Sequence, residues 1–261
     1  MKLKYYVAIA SVMALIIGVW CVKKLEDNQV PEEDYLVVGI AADYAPYVSI
    51  NHNGEYEGFD IDVARALADR MGKKLVLQDL GSMAPLFMAL DQGTVDLLLW
   101  GISITQERVK KVDFIPYHGQ MIVTYPLIFW GAIPIEVSTL ADMKGMRICA
   151  EPASAQSAVL DRYQNIFTIV PTERVDDAFL AIQQGKADAA LVDPAIAKKF
   201  KASFPEIQIL EVPLAPEDQS YGMGIPVKKT NTQLKTNIQC AIDELKVGGV
   251  IKQLEEKWAV A

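Results

Sequence analysis

Short apolar runs alternate with amphipathic stretches along this chain, and the alternation stops near the middle and then begins again. That pattern limits the architecture more than any other feature. Residues 36–40 are apolar and rich in β-branched side chains, which reads as a buried strand. Asp60 suits a helix N-cap, Val63, Ala64, Leu67, Ala68 and Met71 keep the helical period, and Gly72 ends it. Residues 75–77 form the next strand, 85–90 a short helix with proline in its first turn, and 95–100 a strand apolar enough to be covered on both faces. The second series has strands at 146–150, 166–170 and 187–192. Between them lie a helix over 154–163 capped by Ser154 and another from Thr172 to Gly185. Asn231 then caps a helix reaching about Val247, Gly248 and Gly249 break it, and a last helix carries Glu256, Lys257 and Trp258.

A β-α-β-α-β order implies parallel strands joined by right-handed crossovers. Two such units in 261 residues predict two α/β lobes, linked near residues 121–130. Ligands of parallel sheets sit beyond the carboxyl ends of the strands. The loops at 41–47, 100–108, 151–156 and at Asp193 are therefore the places to look for a site.

Composition narrows the function. The formal net charge is -8, so no broad positive field exists to attract nucleic acid. A hydrophobic share of 51% with 22% charged residues fits a folded protein with real cores. Cys149 and Cys240 lack CxxC spacing and read as two buried free thiols. His52 and His118 stand alone in loop-like stretches, so neither a metal site nor a cofactor is expected. At the N-terminus, Lys2 and Lys4 precede an apolar run over 5–20, closed by Lys23 and Lys24, which reads as an export signal. Trp20 stands where a lipoprotein signal has a small residue before its cysteine, here Cys21. Cleavage, lipidation and retention as an anchor all stay open.

Five motifs carry a resemblance. They are Asp43-Tyr44-Ala45-Pro46-Tyr47, Gly58-Phe59-Asp60-Ile61-Asp62, Ser103 to Arg108 followed by Val112 to Tyr117, Gly185 to Asp193, and Glu256-Lys257-Trp258. In this order and spacing, the chain resembles the polar amino-acid family of type II periplasmic solute-binding proteins. The resemblance implies a two-lobed periplasmic binding protein type II fold, each lobe a mostly parallel sheet flanked by helices, with a two-strand hinge. It implies lobe 1 from 34–122 and 222–261, lobe 2 from 123–221, and residues 1–33 as signal or anchor plus linker. It further implies a monomer outside the cytoplasmic membrane that binds a free α-amino acid and delivers it to the membrane permease of an ABC importer.

Site residues follow from the same resemblance, each beside a plainer reading. Arg108 would clamp the ligand carboxylate with its planar fork, helped by backbone around Gly101 and Ser103; otherwise it is a surface arginine beside Lys110 and Lys111. Asp193 would pair with the α-ammonium, and it is also placed to cap the helix from Pro194. Tyr44 and Phe59 would wall the ligand side chain, although Phe59 also suits a staple on the helix behind it. Asp60 and Asp62 are read as capping and structural rather than catalytic. Trp100, Glu151, Ala155 and Gln156 would border the ligand, and Ala153 stands where the family usually has glycine. Ala41 and Trp100 replace acid or hydroxyl groups of cation-specific members. They point to an uncharged ligand side chain first and a basic one second, with Asp43 and Glu151 keeping the basic option. The rival class is an enzyme, a cyclohexadienyl (prephenate or arogenate) dehydratase on the same fold, with Glu151 as general acid.

Overall fold

The computed structural model describes residues 34–260. The expected leader with Cys21 lies outside the described residues.

Two five-stranded sheets organise the molecule. The chain begins with β1 (Tyr35–Ile40), the hairpin of β2 (Ser49–Ile50) and β3 (Tyr56–Glu57), and α1 (Phe59–Met71). It continues with β4 (Lys74–Asp79), α2 (Met83–Gln92), β5 (Leu97–Leu98), the single turn α3 (Arg108–Lys111) and β6 (Asp113–Ile122). The middle of the chain supplies β7 (Thr124–Trp130), β8 (Arg147–Ala150), α4 (Ala155–Asp161) and β9 (Thr168–Pro171). After these come α5 (Val175–Gln183), β10 (Ala189–Leu191), α6 (Pro194–Ser203) and β11 (Ile207–Pro213). The chain ends with β12 (Ser220–Val227), α7 (Thr232–Val247) and α8 (Val250–Trp258).

The first sheet has the order β4-β1-β5-β12-β6 and the second β11-β7-β10-β8-β9. The first takes one inner strand, β12, from beyond the second, whose own strands are consecutive in the chain, so the backbone passes between the sheets twice, at Val123 and across residues 214–219. The sheets are mixed rather than mostly parallel. β1 pairs with β5 in parallel, and β8 with β9 and β10. β12 runs antiparallel to β5 and β6, and β7 antiparallel to β10 and β11. These antiparallel strands went unread in the sequence because Pro116, Gly119, Pro126, Pro213, Gly222 and Pro226 interrupt any clean period.

One device recurs in both sheets. An aspartate just ahead of β5 in one sheet and of β10 in the other accepts a backbone N–H near the start of β1 or β8. Asp96 Oδ2 accepts from Val37 at 2.8 Å, and Asp188 Oδ2 from Arg147 at 2.7 Å. Asp188 also binds the Arg147 guanidinium.

The central strands read as buried because they are. Leu36, Val38, Ile40, Leu97 and Leu98 are all 0% exposed, and each such side chain contributes about 1.5–3 kcal/mol of burial. α1 packs on α7 and α8. Its Asp62 receives Lys257 Nζ at 2.6 Å and Trp258 Nε1 at 2.8 Å, so two of the five sequence motifs exist to meet each other. Partial burial works to raise the Asp62 pKa, but the Lys257 and Trp258 bonds outweigh it and hold it low.

Several local expectations need correction. Gly58, not Asp60, is the N-cap of α1, and the Asp60 side chain turns into the core. Arg174, not Thr172, precedes α5, and Thr172 Oγ1 donates to the Ala150 carbonyl instead. Cys149 is buried and free as expected, but Cys240 is free and exposed. His118 is not in a loop; it lies on β6, with its Nδ1 2.7 Å from Glu255. Ser154, Asp193 and Asn231 do cap α4, α6 and α7.

Candidate ligand-binding cleft

The strand ends converge on one cavity. β1 delivers the loop with Tyr44, β5 delivers Trp100, Gly101 and Ser103, and the following turn delivers Arg108. From the other sheet, β8 delivers Glu151, the first turn of α4 delivers Ala155 and Gln156, and β10 delivers Asp193. These residues lie far apart in sequence and line a single space at the carboxyl ends of parallel strands.

Phe59 is placed elsewhere. It is 0% exposed, stacks on Tyr117 at 5.9 Å and lies 4.8 Å from the His118 ring. Phe59 is also no staple ahead of a cap: it is the first residue of α1, after Gly58, and packs as a core residue against β6. Met83, at the start of α2, lines the cavity in its stead, as do Val175 and Ile196. Met83 was missed because Pro85 drew the expected helix start two residues late; the helix begins at Met83 and Pro85 still falls in its first turn.

Arg108 spans the cleft. Its Nη1 donates to the Ser103 carbonyl at 3.0 Å and its Nη2 to the Ala153 carbonyl, on the opposite side, at 3.1 Å. Its Cζ lies 5.4 Å from the centre of the Phe87 ring. Burial lowers its pKa, and nearby Tyr125, Glu107 and Glu151 counter that. A guanidinium held this way stays charged. Ala153 adopts φ 60°, the left-handed conformation that glycine supplies without cost. The turn thus keeps its glycine-like shape with alanine in place and aims its carbonyl at Arg108.

Asp193 is 6% exposed, and its Oδ1 accepts from Ala195 N–H at 2.9 Å. Burial raises its pKa to about 6. The capping reading is met, and the capped carboxylate also lines the cavity.

The aromatic wall is built from below. Tyr44 stacks on Tyr47 at 5.3 Å and tilts against Trp100 at 5.2 Å. A Cβ on Gly101, where φ is 57°, would stand 2.8 Å from Tyr44 Cε1, so only glycine lets the ring lie this close. Asp60 fixes that glycine: its Oδ2 accepts from Gly101 N–H at 2.5 Å and its Oδ1 from Tyr117 Oη at 2.6 Å. Burial raises the Asp60 pKa to about 7 against these two bonds.

Glu151 is 8% exposed, and its Oε1 has no hydrogen-bond partner. Burial, then the nearby Asp43, push its pKa to about 8, opposed by the Met83 N–H, Arg108 and Arg174. Asp43 itself is paired with Arg174, Nε to Oδ2 at 3.0 Å. The cavity thus offers one arginine, one capped aspartate and one glutamate with an unpartnered oxygen.

Residues 36–261 match the profile of the bacterial extracellular solute-binding proteins, family 3. The chain belongs to this family. Among its members, the probable ABC transporter arginine-binding protein ArtJ of Chlamydia trachomatis is 29% identical over 258 residues, covering 98% of this chain and 97% of that one. The ABC transporter arginine-binding protein 1 of Escherichia coli is 28% identical over 223 residues, 84% of this chain and 88% of that one. A solved structure of ArgBP from T. maritima superposes with a TM-score of 0.78 at 29% identity, over 90% of this chain and 99% of that one. The type II two-lobed architecture of the family is therefore the fold of this chain, and the relatives named are binding proteins rather than enzymes.

Proposed function

We propose that this family 3 protein captures a free α-amino acid with a cationic side chain, arginine first, and hands it to the membrane permease of an ABC importer. Lobe 1 is taken as 34–122 with 222–261 and lobe 2 as 123–221, acting as a monomer outside the cytoplasmic membrane. Arg108 clamps the α-carboxylate and Asp193 receives the α-ammonium, so the zwitterionic head of any amino acid is neutralised. Tyr44, Trp100 and Met83 pack on the side chain, with Gly101, Ser103, Ala155 and Gln156 around the head.

The observation that carries the choice of ligand is the unpartnered Glu151 Oε1 in the cavity. A buried carboxyl oxygen without a donor is costly, and a cationic tip resolves the cost. This reverses the order read from Ala41 and Trp100, because the acid comes from the second lobe instead of the first. The arginine-binding relatives support the same choice. A dehydratase acid is not required to explain Glu151, since an empty cation subsite has the same raised pKa.

Calorimetry of the twenty amino acids against wild type and Glu151→Gln tests this. Arginine and lysine are expected to bind tightest. Their affinity falls about ten-fold or more in the variant, since a hydrogen bond to a charged group is worth about 1.5–3 kcal/mol. A wild type that prefers neutral ligands, with no effect of the substitution, refutes the cationic assignment.

A further inference from the structure

One charged pair joins the two lobes outside the cavity and has no part in the ligand contacts above. Asp43 stands in the loop after β1, one residue before Tyr44. Its side chain is 0% exposed, and neither carboxylate oxygen has a hydrogen-bond partner. Arg174 stands at the N-terminus of α5, one residue before Val175 of the cavity wall, and its side chain is 47% exposed. The two approach to 3.0 Å across the cleft.

We propose that Arg174 is a positioning residue for ligand capture: by pairing with Asp43 across the cleft it holds the lobes closed and lengthens the life of the complex. The pair exists only when the lobes are together, because its members come from opposite sheets. Parting the lobes returns both groups to water, so the pair stabilises the closed state alone. It also settles which acid is left for the ligand. Asp43 and Glu151 are close enough to repel each other, and Arg174 lies near both. With Arg174 engaged by Asp43, Glu151 remains the carboxyl group left to meet the ligand in the cavity. This last consequence rests on the cationic-ligand reading; the latch does not.

Stopped-flow dissociation of L-arginine and small-angle scattering of the ligand-free protein test the proposal together. In Arg174→Gln the complex is expected to dissociate about 2- to 5-fold faster, the range a partly exposed ion pair supports, with little change in association rate. Ligand-free Arg174→Gln is expected to scatter as a more open particle than wild type. Arg174→Lys keeps the charge and is expected to recover most of both effects, and Asp43→Asn to reproduce the Gln variant. Equal lifetimes and equal ligand-free profiles for wild type and Gln overturn the latch, as does a Lys variant no better than Gln. If wild type binds no amino acid, the ligand reading fails, and the ligand-free profiles still decide the latch.

Discussion

The charges of the cleft make three separate demands on a ligand. On the proposed function, Arg108→Ala removes the clamp on the carboxylate that all amino acids share. Affinity is expected to fall by about 2–5 kcal/mol, roughly 30- to several-thousand-fold, for every ligand alike, with the melting temperature nearly kept. On the same proposal Glu151 answers to the side chain alone, and its proton would report this. With a pKa of about 8 in the empty cleft, it is protonated at pH 7. A bound cation lowers that pKa, so arginine binding at pH 7 should release about one proton and tighten as pH rises from 6 to 8. Calorimetry in buffers of differing ionisation enthalpy reads the proton directly, and Glu151→Gln should abolish it. The sequence motifs led to Arg108, Asp193 and Tyr44, each with a fixed place after a strand, and all three line the cavity. They failed at Phe59 and Met83, which trade places as wall and core. Both are apolar residues near a helix start, and nothing local distinguishes the side that faces a cleft from the side that faces a sheet.

Helix α1 shows how an element can be read correctly in outline and wrongly in detail. Its periodic residues and its Gly72 stop were visible, and the helix spans Phe59–Met71. The start was misplaced because Asp60 looks like a cap and is instead a buried acceptor for Gly101 and Tyr117. Only the tertiary fold brings those two donors together. The true cap, Gly58, has φ 133°, and a Cβ there would lie 2.1 Å from the Tyr47 carbonyl oxygen. Since both the conformation and the backbone contact exclude a side chain, Gly58→Ala should cost about 3 kcal/mol or more and lower the melting temperature measurably. Asp60 adds a pH term. Its folded pKa, about 7, lies above its unfolded value, so its stabilising share is complete in acid and is lost as pH rises through 7. Ligand-free protein should therefore melt higher at pH 5.5 than at pH 8, and Asp60→Asn should flatten that slope.

At the scale of the whole molecule, the cleft is complete only when both sheets face it. Arg108 touches the Ala153 carbonyl and Arg174 touches Asp43, so the described state is the closed one. A ligand that contacts both walls favours closure because only that state offers both sets of contacts. Small-angle scattering with saturating arginine should show compaction relative to the ligand-free protein; superimposable profiles would count against a hinge. The two-lobed plan was legible from the restarted strand–helix series. The antiparallel strands were not, because their prolines and glycines break any regular period. Their placement bears on how the molecule is made. β6 meets the first sheet only through β12, which follows the entire second sheet in the chain. During synthesis β6 therefore emerges with no edge to join and waits for about a hundred residues, while the second sheet, whose strands are consecutive, is free to assemble first. The lobe that begins the chain is the one that finishes last.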